Sequence, residues 1–154
     1  MKRDTLLDFF DDRIRSNSEF VFHDDGYRSY SYSYDEIRQT AIAVSQRLTE
    51  AGIEPTDKVV IWGENSPQWI TAMWGCLLAR ATLVPIDFRA SGEFLSHVTK
   101  IVNSRIIFVG TDLDIPPLPK STKIWPLSDL FQSRPHRPIS TKSGIQQVDG
   151  TGSV

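Results

Sequence analysis

From Trp69 to Ala79 the chain reads Trp-Ile-Thr-Ala-Met-Trp-Gly-Cys-Leu-Leu-Ala. At helical spacing this run is apolar on nearly every face, and a helix without a polar face has to be enclosed by protein. Ser66 can cap it and Pro67 suits its first position. The run falls short of the ~20 residues that a membrane-spanning helix needs, so the enclosure must come from the rest of the fold. Leu77 to Phe88, Leu-Leu-Ala-Arg-Ala-Thr-Leu-Val-Pro-Ile-Asp-Phe, then reads as a helix end, a tight turn and a short buried strand stopping at Asp87. Pro85 has no N–H for a sheet ladder, which predicts an edge position or a bulge for this strand.

The flanking sequence supplies candidates for the enclosure. Lys58 to Trp62 predicts a buried strand before the helix. Phe94, Leu95, Val98, Ile101 and Val102 predict a helix capped by Ser91, and Arg105 to Val109 a further strand. Lys123 to Trp125 reads as one more strand, followed by a helical turn at 127–131. Strands alternating with helices imply parallel pairing through right-handed crossovers. Upstream, Thr5 to Arg15 predicts a first helix capped by Thr5 or Asp4. Glu19 to His23 and the aromatic–polar alternation of Tyr27 to Tyr32 predict a hairpin turning at Asp24-Asp25-Gly26. Ser33-Tyr34-Asp35-Glu36 is a capping box, with Ile37, Ala41, Val44 and Leu48 at helical spacing behind it and Gly52 as its stop. The expected fold is α/β: a layered, mostly parallel sheet with flanking helices, preceded by an N-terminal helix and β-hairpin.

A length of 154 residues suits one domain. After Ser133 large apolar residues nearly vanish, so the expected division is an ordered unit over 1–132 and a mobile, linker-like tail over 133–154. A net charge of −2 without a basic stripe argues against a nucleic-acid partner. The single cysteine, Cys76, falls in the apolar helix and reads as core. With no signal-peptide pattern and no membrane span, a cytoplasmic location is expected.

Motifs that carry chemistry are sparse. Two loops leave strand ends and open helices, Gly63-Glu64-Asn65-Ser66 and Asp87-Phe88-Arg89-Ala90-Ser91. Ligands of open α/β sheets sit outside the carboxyl ends of the strands, so these loops could frame an anion site. The plainer reading makes Ser66 and Ser91 caps, Asn65 a turn former, and Asp87 and Arg89 partners of local backbone. One glycine at Gly63 is no dinucleotide fingerprint, and no Gly-rich loop ends in Lys-Ser/Thr. Gly144 and Gly150-Thr151-Gly152-Ser153 lie in the polar tail, with no strand before them. His23, His97 and His136 share no metal-ligand spacing. Asp11-Asp12 and Asp24-Asp25 read as solvated neighbours, and Trp62, Trp69 and Trp74 as core packing before pocket lining. No Gly-x-Ser-x-Gly elbow is present. The residues nominate no catalytic, cofactor-binding or metal-binding group.

Three blocks taken in order resemble the start of the AMP-forming acyl-CoA synthetase and adenylation-domain family. They are Phe22-His-Asp-Asp-Gly26 with Tyr32-Ser-Tyr-Asp-Glu-Ile37, Asp57-Lys-Val-Val-Ile61 with Asn65-Ser66, and Leu77 to Asp87. The likeness runs from about Leu6 to about Asp129. Ala81 stands where the family usually has Gly, which asks the turn there to avoid positive φ. The resemblance implies ATP-dependent activation of a carboxylic acid to an acyl-adenylate and transfer to a thiol. It implies ATP, Mg and coenzyme A for a full-length enzyme and none for this chain alone. The family's Ser/Thr/Gly-rich phosphate loop, aromatic-Thr-Glu element, ribose-holding Asp and C-terminal Lys match no residue here, so no catalytic role is carried over. The expectation is an N-terminal portion, truncated or split, inactive alone. Ile86-Asp87-Phe88-Arg89 leans toward acyl-CoA ligases over peptide-synthetase modules. The alternatives are a stand-alone α/β module docking a partner or a C-terminal half in trans, and a small nucleotide-binding domain.

Overall fold

The computed structural model describes residues 5–13, 18–24, 26–27 and 29–131. Helix α1 (Leu6–Arg13) is followed by strands β1 (Glu19–Asp24) and β2 (Ser29–Ser33), then α2 (Tyr34–Glu50). The βα part comprises β3 (Lys58–Gly63), α3 (Pro67–Leu78), β4 (Thr82–Asp87), α4 (Gly92–Val102), β5 (Ile106–Val109) and β6 (Lys123–Pro126), closed by a 3₁₀ turn at Leu127–Phe131. Strands β1 and β2 form an antiparallel hairpin, and the other four form a parallel sheet in the order β4-β3-β5-β6. The expected α/β class, with hairpin and helix in front, is what the chain adopts. The tail 133–154, His136, the tail glycines, Ile14 and the side chains of Asp11, Asp12 and Asp25 lie outside the described residues.

Helix ends follow the sequence closely. The Ser33 hydroxyl accepts the Glu36 N–H at 3.2 Å while the Glu36 carboxylate accepts the Ser33 N–H at 2.7 Å. Thr5 plays the same part for α1, its Oγ1 accepting the Asp8 N–H at 3.2 Å. Gly52 takes φ +82° just past α2, and the Gly52 and Ile53 N–H groups close on Thr49 and Leu48 carbonyls. The same closure ends α3, but there Arg80 takes the left-handed conformation, at φ 59°. The turn therefore keeps a positive φ, contrary to expectation, and places it one residue before Ala81. That left-handed residue costs about 1–2 kcal/mol relative to glycine.

The hairpin differs from expectation at its tip. Tyr27 is 97% exposed and stands before β2, so the alternating pattern begins only at Ser29. Gly26 takes φ +87° and donates its N–H to Asp24 Oδ1 at 2.8 Å. Tyr32 and Tyr30 then turn inward, and Phe20 stacks on Tyr34 with ring centroids 4.2 Å apart.

Helix α3 is enclosed on both sides, with Thr71, Ala72, Trp74, Gly75 and Cys76 buried and Trp69, Ile70, Met73, Leu77 and Leu78 half-buried. Ala72 and Cys76 pack on Val59, Ile61, Ile106 and Phe108 of the sheet, together with Val44 and Leu48 of α2. Trp74 packs the other way, against Phe10, Tyr32 and Phe131. Arg47 of α2 lies 4.1 Å from the Trp125 ring centre and ties that helix to β6. The opposite sheet face, Val60, Trp62, Ile107 and Val109, is covered by Leu95 of α4 with Leu113 and Leu118. Pro85 lies on β4, an outer strand, as its chemistry requires. Arg105, just before β5, donates to Asp57 at 2.6 Å and to the Gly52 carbonyl, closing the amino-terminal side of the sheet. Among the described residues no helix is long and apolar enough to cross a membrane.

The two helices on one sheet face meet without an intervening side chain at Gly75. A Cβ there would meet Val44 Cγ1 at 2.3 Å and Val44 Cβ at 2.7 Å. Gly75→Ala is expected to destabilise the fold by about 1–3 kcal/mol, read as a lower urea midpoint. Adding Val44→Ala relieves the shorter contact, so the double variant should lose less than the two single losses summed. Burial pushes the Cys76 thiol up to about 12. Native protein at pH 8 should therefore be inert to a thiol reagent until denaturant opens it.

Candidate functional site

The connections of the sheet decide where a site can form. β3 leads into α3 on one face, whereas β5 leads into a segment that packs Leu113 and Leu118 on the other. Adjacent strands whose connections part in this way leave a crevice at their carboxyl ends. Gly63 and Gly110 leave the two strands side by side there. A Cβ on Gly63 would lie 3.2 Å from Gly110 Cα and 3.1 Å from Leu127 Cδ1. This is mutual backbone packing, and it accounts for both glycines without a ligand.

Above the glycines lies a cleft of about 390 Å³ bordered by His23, Glu64, Ser66, Thr111, Asp112 and Ser128. A second hollow, about 640 Å³, lies over the ends of β3 and β4 between Glu64-Asn65, Trp69 and Asp87-Phe88-Arg89. The two loops nominated by sequence thus stand together, with Glu64 of one and Phe88 of the other bordering both hollows. The third and fourth walls, 110–113 and Leu127-Ser128, were not nominated. Gly110 directly after the buried strand was the available signal. The contribution of His23 had none, because it depends on how the hairpin docks.

Ser66 and Ser91 are caps. Their hydroxyls accept the Trp69 and Phe94 N–H groups at 3.1 and 3.2 Å. Asp87 and Arg89 form a forked pair, with Nε to Oδ1 at 3.0 Å and Nη2 to Oδ2 at 2.9 Å, and the Arg89 N–H also reaches Oδ1 at 2.8 Å. The Arg89 side chain, followed by its backbone N–H, holds the Asp87 carboxyl down at about 2. The tryptophans do not converge. Trp62 faces α4, Trp74 faces the hairpin side, and only Trp69 borders a hollow. The Trp62 Nε1–H is buried with no hydrogen-bond partner among the described residues.

A triphosphate does not fit these residues. The cleft is rimmed by the carboxylates of Glu64 and Asp112, and no Lys or Arg of the described residues lines it. Arg89, beside it, already has its fork filled by Asp87. Each helix N-terminus that opens here has a cap hydroxyl on its third N–H. Among the described residues no group of three or more His, Cys, Asp or Glu could hold a metal ion.

Residues 10–149 match the family model described as AMP-binding enzyme. The chain belongs to the AMP-binding enzyme family. Syringomycin synthase SyrB1 of Pseudomonas syringae pv. syringae is 24% identical over 97% of this chain, which spans 24% of that protein. The fatty acid–[acyl-carrier-protein] ligase ScoC of Streptomyces coeruleorubidus is 25% identical over 50% of the chain, covering 15% of its own length. Among solved structures, the N-terminal subdomain of Klebsiella oxytoca NpsA, in complex with 3-hydroxybenzoyl-AMSN, overlays 82% of the chain on 31% of its own. Its TM-score is 0.67 at 18% identity, a likeness of fold. The chain thus spans about a quarter or less of the length of these two relatives.

A carboxyl held down by its neighbour keeps its charge into acid. The pairing at Asp87 is present above the ordinary carboxylate range near pH 4 and is lost as pH falls through about 2. In Arg89→Gln the Asp87 carboxyl signal, followed by carbon NMR, should titrate at a higher pH. It should stop short of the ordinary value, because the backbone N–H bond remains.

Proposed function

We propose that this chain forms the amino-terminal scaffold of an AMP-dependent ligase of the acyl-CoA synthetase type, and that it does not adenylate a carboxylate by itself. The observation that carries this reading is the charge at the carboxyl ends of the sheet. Adenylation needs donors and a cation gathered around the triphosphate as negative charge shifts toward pyrophosphate. The candidate cleft presents Glu64 and Asp112 there, and Arg89 is committed to Asp87. In this reading the carboxylic acid, ATP, Mg and coenzyme A belong to the complete ligase, whose remaining segments supply the phosphate grip.

Family membership and the fold of the NpsA N-terminal subdomain support an amino-terminal placement. The ordered unit is assigned to 1–132, with 133–154 leading toward the rest of the ligase; the family match itself continues to residue 149. The one buried cysteine suits a cytoplasmic location. The test is carboxylate-dependent exchange of labelled pyrophosphate into ATP. Purified chain should give background exchange across a panel of fatty, aromatic and amino acids. Exchange above background with any of them overturns the proposal. The second reading, docking to a C-terminal half in trans, is favoured by the exposed Phe94 and Ile101 along α4. In that case a separately expressed remainder should bind the chain and restore exchange.

A further inference from the structure

The four strands of the parallel sheet begin on one side of the molecule, and each begins beside a cation. In sheet order these are Arg80 ahead of β4, Lys58 opening β3, Arg105 just before β5 and Lys123 opening β6. The ladders pair Lys58 with Thr82, Val59 with Ile106, and Ile106 with Lys123, so the four stand at nearly one level. With about 4.8 Å between neighbouring strands, the row spans ~14 Å. Lys100, in the last turn of α4, and Lys120, in the turn before β6, lie at the same end. The rim is tied across the strands. The Thr82 N–H donates to the Asp57 carbonyl at 2.7 Å, the Ser104 hydroxyl to the Lys58 carbonyl at 3.0 Å, and the Thr122 hydroxyl to the Ser104 carbonyl at 3.0 Å. These basic residues form no run in the chain, and strand register gathers them.

All of these cations belong to exposed residues. Arg105 is paired with Asp57, and the others make no ion pair among the described residues. The remaining carboxylates of this rim are Glu50 and Glu54, at the end of α2 and in the turn after it, which leaves positive charge in excess. Helix carbonyls end on the same side and favour a nearby cation. That accounts for Arg80 and Lys100, but not for Lys58, Lys120 and Lys123, which stand on strands and a turn. Exposed aliphatic groups lie among the charges: Ile101 beside Lys100, 68% exposed, and Ile124 beside Lys123, 39% exposed. Lysines interleaved with aliphatic side chains match a bilayer interface, where cations meet anionic headgroups and aliphatic groups enter the acyl boundary. A nucleic acid would meet the charges only, because an isoleucine cannot stack on a base as an aromatic ring does.

We propose that the amino-terminal rim of the sheet docks this chain on the anionic face of a lipid bilayer, with Lys58, Lys120 and Lys123 at the headgroups and Ile101 and Ile124 toward the acyl boundary. The proposal is independent of the ligase reading, since it uses only the placement of charge and aliphatic surface. It turns the cleft at the carboxyl ends of the strands away from the membrane.

The test is co-sedimentation of the full chain with phosphatidylcholine vesicles, with and without phosphatidylserine. The chain has a net charge of −2, so attraction to an anionic surface requires a local patch. Binding is expected to the phosphatidylserine vesicles at low salt, with background binding to phosphatidylcholine alone. It should be lost near 1 M salt, where the Debye length is about 3 Å. K120Q/K123Q, which alters only exposed side chains, should bind about tenfold or more weakly, and K120R/K123R should bind as the parent does. No binding to phosphatidylserine vesicles overturns the proposal, as does equal binding by K120Q/K123Q. On bilayer discs carrying a headgroup nitroxide, the amide NMR signals of Ile101, Lys120 and Lys123 should weaken while those of Glu64 and Thr111 persist; any other pattern overturns it. A DNA duplex or RNA hairpin that binds more tightly than the vesicles, and is lost in K120Q/K123Q, makes the partner a nucleic acid and also overturns it.

Discussion

The contact between Gly75 and Val44 sets the spacing of one whole side of the molecule. With a hydrogen in place of a side chain at Gly75, α2 and α3 lie close enough to share a single layer over the sheet. That layer turns Ala72 and Cys76 toward β3 and β5, and it turns Trp74 toward Phe10, Tyr32 and Phe131. A wider spacing would open voids on both sides at once, since interiors packed to crystal-like density have no slack to redistribute. The hairpin and α1 depend on this layer too, because their inward rings rest on Trp74 and its neighbours.

Much of this was legible in the residues. The capping box at Ser33 and Glu36 is a local hydrogen-bond pattern, so sequence spacing alone defines it. The run from Trp69 to Ala79 announced its burial because it had no polar side to offer solvent. Pro85 announced an outer strand because it lacks a donor. Less legible features depend on contacts far apart in sequence. The left-handed residue after α3 is Arg80, because closure of Ala81 N–H on the Cys76 carbonyl fixes which residue must turn. Tyr27 continued an alternating pattern on paper, yet the turn held by Gly26 and Asp24 ends before it. The wall at 110–113 emerges only when β5 is laid beside β3.

The carboxyl ends of the strands are where this architecture offers a ligand room, and the groups found there are shaped by local needs. Ser66 and Ser91 are taken up by helix ends, Arg89 by Asp87, and the two glycines by each other. Family membership therefore speaks for the scaffold, while the side chains at these strand ends are engaged with one another.

The border formed by β4 has one further consequence. An outermost strand exposes unpaired amides and carbonyls that invite another chain to add alongside, the first step of edge-to-edge aggregation. Pro85 sits in the middle of that border, between Val84 and Ile86, and withholds the donor that a continuous added ladder would require. A protein whose neighbouring strands are as rich in valine and isoleucine as these thus carries its own interruption against fibrous growth, at the one outer strand where Val84 and Ile86 would otherwise template it.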